Sequence, residues 1–241
     1  RQAIEAFQNC RAAGFQNISI DLMYGLPGET LSTWQQDLDQ ALLLHPEHLS
    51  AYHLIYEEDT VLWKLREQHK VEEADEDLSV SLFSTLIDRL TSEGYDHYEI
   101  SNFSLPGLYS RHNSSYWTEK KYLGCGPSAH SYNGVSRQWN VASLDTYIKG
   151  ISAGTPVFEI EELDLYTRYN DFVITRIRTE WGMPLSKLRD EFGEKLYDYC
   201  LRMAAPHLKQ GTLELVNDIL KLTRKGIFIS DGIMSDMLWT D

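Results

Sequence analysis

The sequence contains no long hydrophobic run and few cysteines. Its longest apolar stretches, such as residues 41–44, fall far short of the roughly 20 residues that a membrane-spanning helix needs. The N-terminus lacks the charged start and apolar core of a signal peptide. Cys10, Cys125 and Cys200 are odd in number and too widely spaced for a CxxC pair. We therefore expect a cytoplasmic protein without direct membrane insertion.

Positive charge is also scarce. The chain has 22 Lys and Arg against 36 Asp and Glu, which gives a net charge of −14. A nucleic-acid backbone would be repelled, so no nucleic-acid partner is expected. With 42% hydrophobic and 12% aromatic residues, the composition is nevertheless that of a folded globular protein with a sizeable core.

The first hundred residues alternate between strand and helix patterns. Runs rich in β-forming residues lie at 18–24, 48–56 and 98–101, and helical patterns lie between them at about 31–44 and 77–92. Strands separated by helices pair in parallel through crossovers, so the pattern predicts an α/β barrel or a doubly wound sheet over residues 1–101.

Residues 102–162 are predicted to form a separate site segment. No helical period is visible over 102–134, where Gly, Pro, Ser, Asn, His and aromatic residues dominate. An irregular stretch of that length in a compact domain is usually functional or disordered, and the many Tyr and Trp residues argue against disorder.

Residues 163–241 are predicted to form a mostly helical, winged-helix-like domain. Helical patterns are followed by a hairpin with its turn at Asn217 and Asp218, and then by a final helix. Such modules often bind DNA, but this region is close to neutral and the rest of the chain is acidic. A lid or a protein-docking element is the better interpretation.

Asp21 is the first candidate site residue. It lies within an apolar strand, shortly before the turn at 25–28. It could simply face solvent, but strands with helix crossovers are usually covered, and ligand groups collect at their carboxyl ends. We therefore favour contact with a ligand.

The segment HNSSYW at 112–117 is the second candidate. Taken alone, His112 could be a catalytic base, a metal ligand or a packed neutral imidazole, and packing is the most common of these. Aromatic surfaces beside an imidazole also suit a porphyrin, which stacks on the rings while its iron takes the nitrogen. The nearby GCGPSAHS at 124–131 is a weak dinucleotide motif and favours close approach of a ligand to glycine backbone.

Together these segments resemble a known family. ISIDLMYGLPGET at 18–30 is similar to the fifth strand of radical S-adenosylmethionine proteins related to oxygen-independent coproporphyrinogen III oxidase. YEISNF at 98–103, HNSSYW at 112–117, YLG at 122–124 and GPSAHS at 126–131 resemble the haem-chaperone branch, the HemW-like proteins. The resemblance covers essentially the whole chain. It implies the C-terminal part of a partial parallel (β/α) radical-SAM-type barrel, followed by the winged-helix-like region.

The resemblance also implies cofactors and roles. Asp21 would contact S-adenosylmethionine, and Ile55 would border the same ligand. His112 would bind haem iron, with Tyr116 and Trp117 as packing surface and Asn113 orienting the loop or a propionate. No catalytic residue is assigned, and enzymatic activity is left open.

The family's CxxxCxxC motif, which holds a [4Fe–4S] cluster, is absent from this sequence, and its three cysteines cannot replace it. Since the chain starts with Arg1 inside a helical pattern, we expect that the parent protein supplies the first strands, or that the chain associates with another chain. A homo-oligomer is possible.

Two functions follow from the resemblance. One is a chaperone that binds haem and hands it to apoproteins. The alternative is oxygen-independent coproporphyrinogen III oxidase, which decarboxylates propionates in porphyrin biosynthesis. HNSSYW favours the chaperone, because a substrate without iron needs no axial histidine.

Overall fold

The computed structural model describes residues 2–240. The chain divides into two compact units, unit 1 ending at Ser110 and unit 2 starting at Arg111. The division into 1–101, 102–162 and 163–241 stays a prediction. Within residues 2–240, no helix combines the length and the hydrophobicity needed to cross a membrane.

Unit 1 alternates helices and strands. Its elements are α1 (Gln2–Ala12), β1 (Ser19–Tyr24), α2 (Leu31–Leu43), β2 (His48–His53), α3 (Val61–Glu67), α4 (Glu76–Ser92), β3 (Asp96–Glu99) and β4 (Asn102–Ser104). The predicted strand at 48–56 is shorter than expected, and the one at 98–101 begins earlier.

The sheet of unit 1 has the strand order β1-β2-β4-β3. The pair β1–β2 is parallel, as predicted, whereas β4 pairs antiparallel with both β2 and β3. The sequence analysis predicted no strand at the position of β4, so this antiparallel neighbour of β2 was missed. Only Ile100 and Ser101 separate β3 from β4, and a connection that short makes an antiparallel hairpin rather than a crossover.

Helices α2 and α4 cover one face of this sheet. Thr30 caps α2 by accepting a hydrogen bond from the Thr33 backbone N–H. Trp34 and Leu38 of α2 and Leu82 of α4 are fully buried, and Trp34 Nε1 donates to the Leu82 carbonyl at 3.0 Å. The helical spacing of these apolar residues predicted this face correctly.

Unit 2 contains two small sheets and more helix. Its elements are α5 (Arg111–Trp117), β5 (His130–Tyr132), β6 (Ser136–Asn140), α6 (Leu144–Ser152), β7 (Phe158–Glu162), α7 (Leu165–Ile177), β8 (Met183–Pro184), α8 (Leu185–Gln210), β9 (Leu213–Val216), β10 (Ile219–Leu222), α9 (Arg224–Ile227) and α10 (Ser230–Met237). The sheets have the orders β5-β6-β7 and β8-β10-β9.

The segment expected to be irregular is more regular than its sequence suggests. It holds α5, which covers HNSSYW, and the meander β5-β6-β7. Helix α5 buries none of its residues and β7 is exposed throughout, so neither shows an apolar period. His112, which lies in the stretch without a visible helical period, is in the first turn of α5.

The C-terminal helices and hairpin form where the sequence predicts them. Helix α8 is broken at Gly193, whose φ of +79° favours glycine. Asn217 and Asp218 both adopt positive φ between β9 and β10, which is the geometry of a two-residue hairpin turn. Tyr169 and Phe172 of α7 are fully buried in the core.

Candidate functional site

The face of the unit 1 sheet opposite the helices is polar. On β1, Ser19, Asp21 and Met23 are exposed while the intervening side chains face the helices. The strand register places Asp21 opposite Ser50, and Ser50 opposite Asn102. Because residues directly opposite one another point to the same side of a sheet, Asp21 belongs to a row of hydrogen-bonding side chains.

His48 anchors the start of this face. Its Nδ1 lies 2.8 Å from Ser19 Oγ and its Nε2 lies 2.7 Å from the Tyr98 hydroxyl. Burial lowers the pKa of His48, although the nearby Asp21 carboxylate works in the opposite direction. The imidazole is therefore a neutral structural residue that holds three strands together.

Two buried polar atoms on β4 have no hydrogen-bond partner in the described structure. They are Asn102 Oδ1 and Ser104 Oγ, whose residues are 4% and 0% exposed. The Nδ2 atom of the same Asn102 amide donates a hydrogen bond to Glu99 Oε1. Unsatisfied buried polar atoms are costly, and a polar ligand on this face would supply the missing partners.

The turn after β1 is held in one conformation. Gly25 and Leu26 donate their backbone N–H groups to Glu29 Oε2 at 2.6 and 3.3 Å. Gly25 has φ +76°, and a side chain there would meet the imidazole of His53. The predicted candidate Asp21 therefore precedes a rigid turn, while its own carboxylate remains accessible.

Helix α5 presents the residues of HNSSYW on different sides. His112 and Tyr116 are four residues apart and both exposed, and Tyr116 Oη lies 3.3 Å from His112 Nε2. Asn113 and Trp117 are half-buried. The guanidinium of Arg178 lies 4.2 Å from the Trp117 ring centroid. Tyr116 thus lies beside His112, whereas Trp117 packs within the unit.

A row of aromatic rings runs from His112 into a cavity of unit 2. The ring centroids are 5.2 Å apart for His112 and Tyr116, 5.0 Å for Tyr116 and Tyr122, and 6.1 Å for Tyr122 and Tyr132. The three tyrosines line a cavity of about 380 Å³. Burial raises the pKa of Tyr122 and Tyr132, which remain neutral phenols.

Several charged residues also line this cavity. Glu119 accepts hydrogen bonds from Arg176 at 2.9 Å and Lys187 at 2.7 Å. Burial alone would raise the pKa of Glu119, but these two cations outweigh it and lower the pKa. Asp171 pairs with Arg137, yet burial dominates and raises the Asp171 pKa.

Arg168, Asp171 and Thr175 line the cavity from one side of α7, at positions i, i+3 and i+7. The sequence analysis did not single them out, because polar residues on one side of a helix usually face solvent. That polar stripe, next to the buried side of α7, is the signal that could have found them.

Gly124 of GCGPSAHS approaches backbone rather than the ligand that the sequence analysis expected. A side chain at Gly124 would collide with the His130 backbone, so the close approach here is between two segments of unit 2. Cys125 is exposed, and burial raises the pKa of the Cys200 thiol to about 11. Across residues 2–240, no three His, Cys, Asp or Glu side chains are arranged to hold a metal ion. Residues 2–240 therefore do not fit an iron–sulfur cluster.

Comparison with known proteins places the chain among curated relatives. Residues 163–229 match the family model of the HemN C-terminal domain. The heme chaperone HemW of Mycobacterium tuberculosis is 32% identical over 238 residues, with 98% of this chain and 59% of that protein covered. The heme chaperone HemW of Bacillus subtilis is 28% identical, with 99% of this chain and 63% of that protein covered.

A solved structure shows the same fold. Coproporphyrinogen III oxidase (HemN) from Escherichia coli, described as a radical SAM enzyme, superposes with a TM-score of 0.77 at 20% identity, and the match covers 98% of this chain and 58% of that one. The chain thus spans about three fifths of the length of its curated relatives. Over nearly its whole length the chain is similar to HemW heme chaperones, and it has the fold of a protein described as a radical SAM enzyme.

Proposed function

We propose that the protein binds haem and delivers it to apoproteins in the cytoplasm. The observation that carries this proposal is the exposed His112–Tyr116 pair on α5, within the motif HNSSYW. An exposed imidazole offers a ring nitrogen to iron, and a neighbouring phenol ring offers a flat surface to a macrocycle. The relatives named heme chaperone HemW support this choice.

The exposure of His112 suits a haem ligand that has to be released to another protein. A buried axial ligand would hold haem in a closed pocket, whereas both His112 and Tyr116 are accessible at the surface of unit 2. Trp117 packs under the Arg178 guanidinium and lines the same cavity as Tyr116, so we assign both rings to the packing surface for the macrocycle. Asn113 lies on the same side of α5 as Trp117, and we assign it an orienting role within unit 2.

The polar face of unit 1 is proposed to contact S-adenosylmethionine, the source of a 5′-deoxyadenosyl radical in this family. The exposed carboxylate of Asp21 can accept hydrogen bonds from ribose hydroxyls or from the amino group of that cofactor. Ile55, which is 70% exposed shortly after β2, is proposed to border it. The unsatisfied Asn102 Oδ1 and Ser104 Oγ support a polar ligand on this face.

The [4Fe–4S] cluster of the family would have to be held by residues outside this sequence, since no CxxxCxxC motif is present. Chain segments beyond those printed, or a second chain, would supply it. We therefore propose no radical chemistry for the residues of this sequence.

A haemin titration tests the proposal. We expect the protein to develop a Soret band typical of histidine-ligated haem, and His112→Ala to lose it. His69→Ala is the matched control, because His69 is an exposed histidine of unit 1. If His112→Ala and the control bind haemin with the same affinity and spectrum, His112 is not the iron ligand and the proposal fails.

The decarboxylase alternative makes a different prediction. An enzyme acting on coproporphyrinogen III would release carbon dioxide from propionates, and no iron would contact His112. Similarity to the E. coli oxidase at 20% identity shows the fold and does not favour this activity. The alternative is tested by measuring carbon dioxide release from coproporphyrinogen III with the protein that carries its cluster. If the wild type and His112→Ala release carbon dioxide at the same rate, the alternative is supported and the chaperone function is not.

A further inference from the structure

The cavity in unit 2 has basic side chains that form no ion pair among the described residues. Of its basic lining residues, Arg137 pairs with Asp171, but Arg168 and Lys120 form no ion pair within the described part of unit 2. The acidic lining residues Glu119 and Glu191 are already paired, Glu119 with Arg176 and Lys187, and Glu191 with Lys187. Asp164, the N-cap of α7, interacts electrostatically with Arg168 without forming an ion pair with it in the described structure. In a chain with a net charge of −14, unpaired cations at a cavity indicate an anionic ligand.

The same cavity shares a wall with the proposed haem ligand. Tyr116 contacts His112 through its hydroxyl and also lines the cavity, so the two features meet at one phenol ring. Tyr122 and Tyr132 continue this aromatic wall inward. The remaining walls include Arg137 of β6 and Arg168 of α7. A ligand fitting this surface is flat and apolar at one end and anionic at the other.

Arg168 is the most suitable anchor for such an anion. It is half-buried on α7, one turn before Asp171, which pairs with Arg137. A guanidinium binds a carboxylate through two parallel N–H···O bonds, and a partly buried setting strengthens them. Arg137 is already engaged by Asp171, so it would contribute as the second cation. Lys120 is more exposed and less constrained.

We propose that Arg168, assisted by Arg137, binds the propionate carboxylates of a tetrapyrrole that contacts His112 and Tyr116. This inference rests on the proposed function and names the part of the ligand that the cavity recognises. Haem carries two propionates on one edge of a planar ring, which suits a cavity lined by three tyrosines and two arginines. The iron and the carboxylates would thus be recognised by separate residues of unit 2.

The test separates these two recognition steps by using three ligands. They are haemin, protoporphyrin IX, which has the propionates but no iron, and haemin dimethyl ester, which has the iron but no free carboxylate. Binding is measured by absorbance and fluorescence titration with the wild type, Arg168→Gln, His112→Ala and Arg202→Gln. Arg202 is an exposed arginine of α8 and does not line the cavity, so its variant controls for loss of one positive charge.

We expect Arg168→Gln to lower the affinity for haemin and for protoporphyrin IX by about tenfold. That factor corresponds to the loss of one charge-assisted interaction of about 1.4 kcal/mol. The dimethyl ester should bind the wild type and Arg168→Gln equally. His112→Ala should lower the affinity for haemin but not the affinity for protoporphyrin IX. Arg202→Gln should leave all three affinities unchanged.

Other outcomes overturn the inference in distinguishable ways. If His112→Ala abolishes haemin ligation while Arg168→Gln changes no affinity, the propionate site is wrong and the proposed function stands. If Arg168→Gln lowers the affinity for the dimethyl ester as much as the affinity for haemin, Arg168 acts through folding or packing and not by binding a carboxylate. If the wild type binds haemin no better than His112→Ala, the proposed function fails and the propionate site fails with it.

Discussion

The phenol hydroxyl of Tyr116 lies 3.3 Å from the Nε2 atom of His112, one helical turn away on α5. The two rings meet edge to face at 89°. Tyr116 therefore has two effects: its ring extends the flat surface beside the imidazole, while its hydroxyl competes for the nitrogen that iron would take.

This competition leads to a prediction about Tyr116→Phe. Removing the hydroxyl keeps the ring and frees Nε2, so haemin should bind the variant a few-fold more tightly, in line with the ~1 kcal/mol of a neutral hydrogen bond. Tyr116→Ala removes the ring and should weaken binding. Titration followed at the Soret band measures both. Weaker binding by Tyr116→Phe would mean that the hydroxyl helps to hold the ligand.

Asp21→Asn should separate ligand binding from stability. The side chain is exposed on the polar face of unit 1, so the free energy of unfolding should change by less than about 0.5 kcal/mol. Binding of S-adenosylmethionine, measured by isothermal titration calorimetry, should fall. Asp37→Asn, an exposed position on α2, is the control and should bind normally. Equal binding by both variants would remove Asp21 from the site.

His48 should make unit 1 sensitive to acid. Burial lowers its pKa in the folded state, so between that value and the unfolded value of about 6.5 the unfolded chain binds more protons. Stability must then fall as the pH drops below about 6.5. Urea unfolding of the wild type and His48→Gln at pH 8 and pH 5.5 tests this. The wild type should lose more stability than the variant, and an equal loss would contradict the assignment.

Glu119→Gln should destabilise unit 2, because Arg176 and Lys187 both lose their carboxylate partner. A loss of about 1–3 kcal/mol is expected at pH 7. The folded state lowers the pKa of Glu119, so this contribution is present above about pH 4.5 and disappears as the pH falls through the lowered value. Denaturant unfolding measures the difference between wild type and variant at each pH.

Glu194→Gln provides the comparison for that experiment. Glu194 pairs with Arg189 at 3.2 Å, but both side chains are exposed. Its replacement should cost less than about 0.5 kcal/mol at any pH. If the two variants lose the same stability, the half-buried position of Glu119 confers no special role.

Local sequence patterns were sufficient for most individual elements. The apolar spacing of α4 predicted its buried side, including Leu82 and Leu86. Asn217 and Asp218 predicted the hairpin turn, since they tolerate the positive φ that this turn requires. These features depend on residues close together in the chain, so their signals survive in the sequence alone.

The candidate site was predictable only in part. HNSSYW and Asp21 stood out by their residue types, but the cavity did not, because its walls come from segments as distant as Tyr116, Arg137 and Glu191. No local pattern records which of these segments meet. The helix α5 was missed for a related reason: His, Asn and Ser are modest helix formers, and a helix that buries nothing has no apolar stripe.

The sequence by itself determined the resemblance to HemW-like proteins, the alternation of helices and strands, the acidic charge and the residue types available for ligand binding. Tertiary structure decided that β4 inserts antiparallel beside β2, that Tyr116 lies beside His112, and that Tyr116, Trp117 and Arg168 line one cavity. Helices and turns follow from neighbours in the chain, whereas strand order, burial and charge pairing depend on groups that only folding brings together.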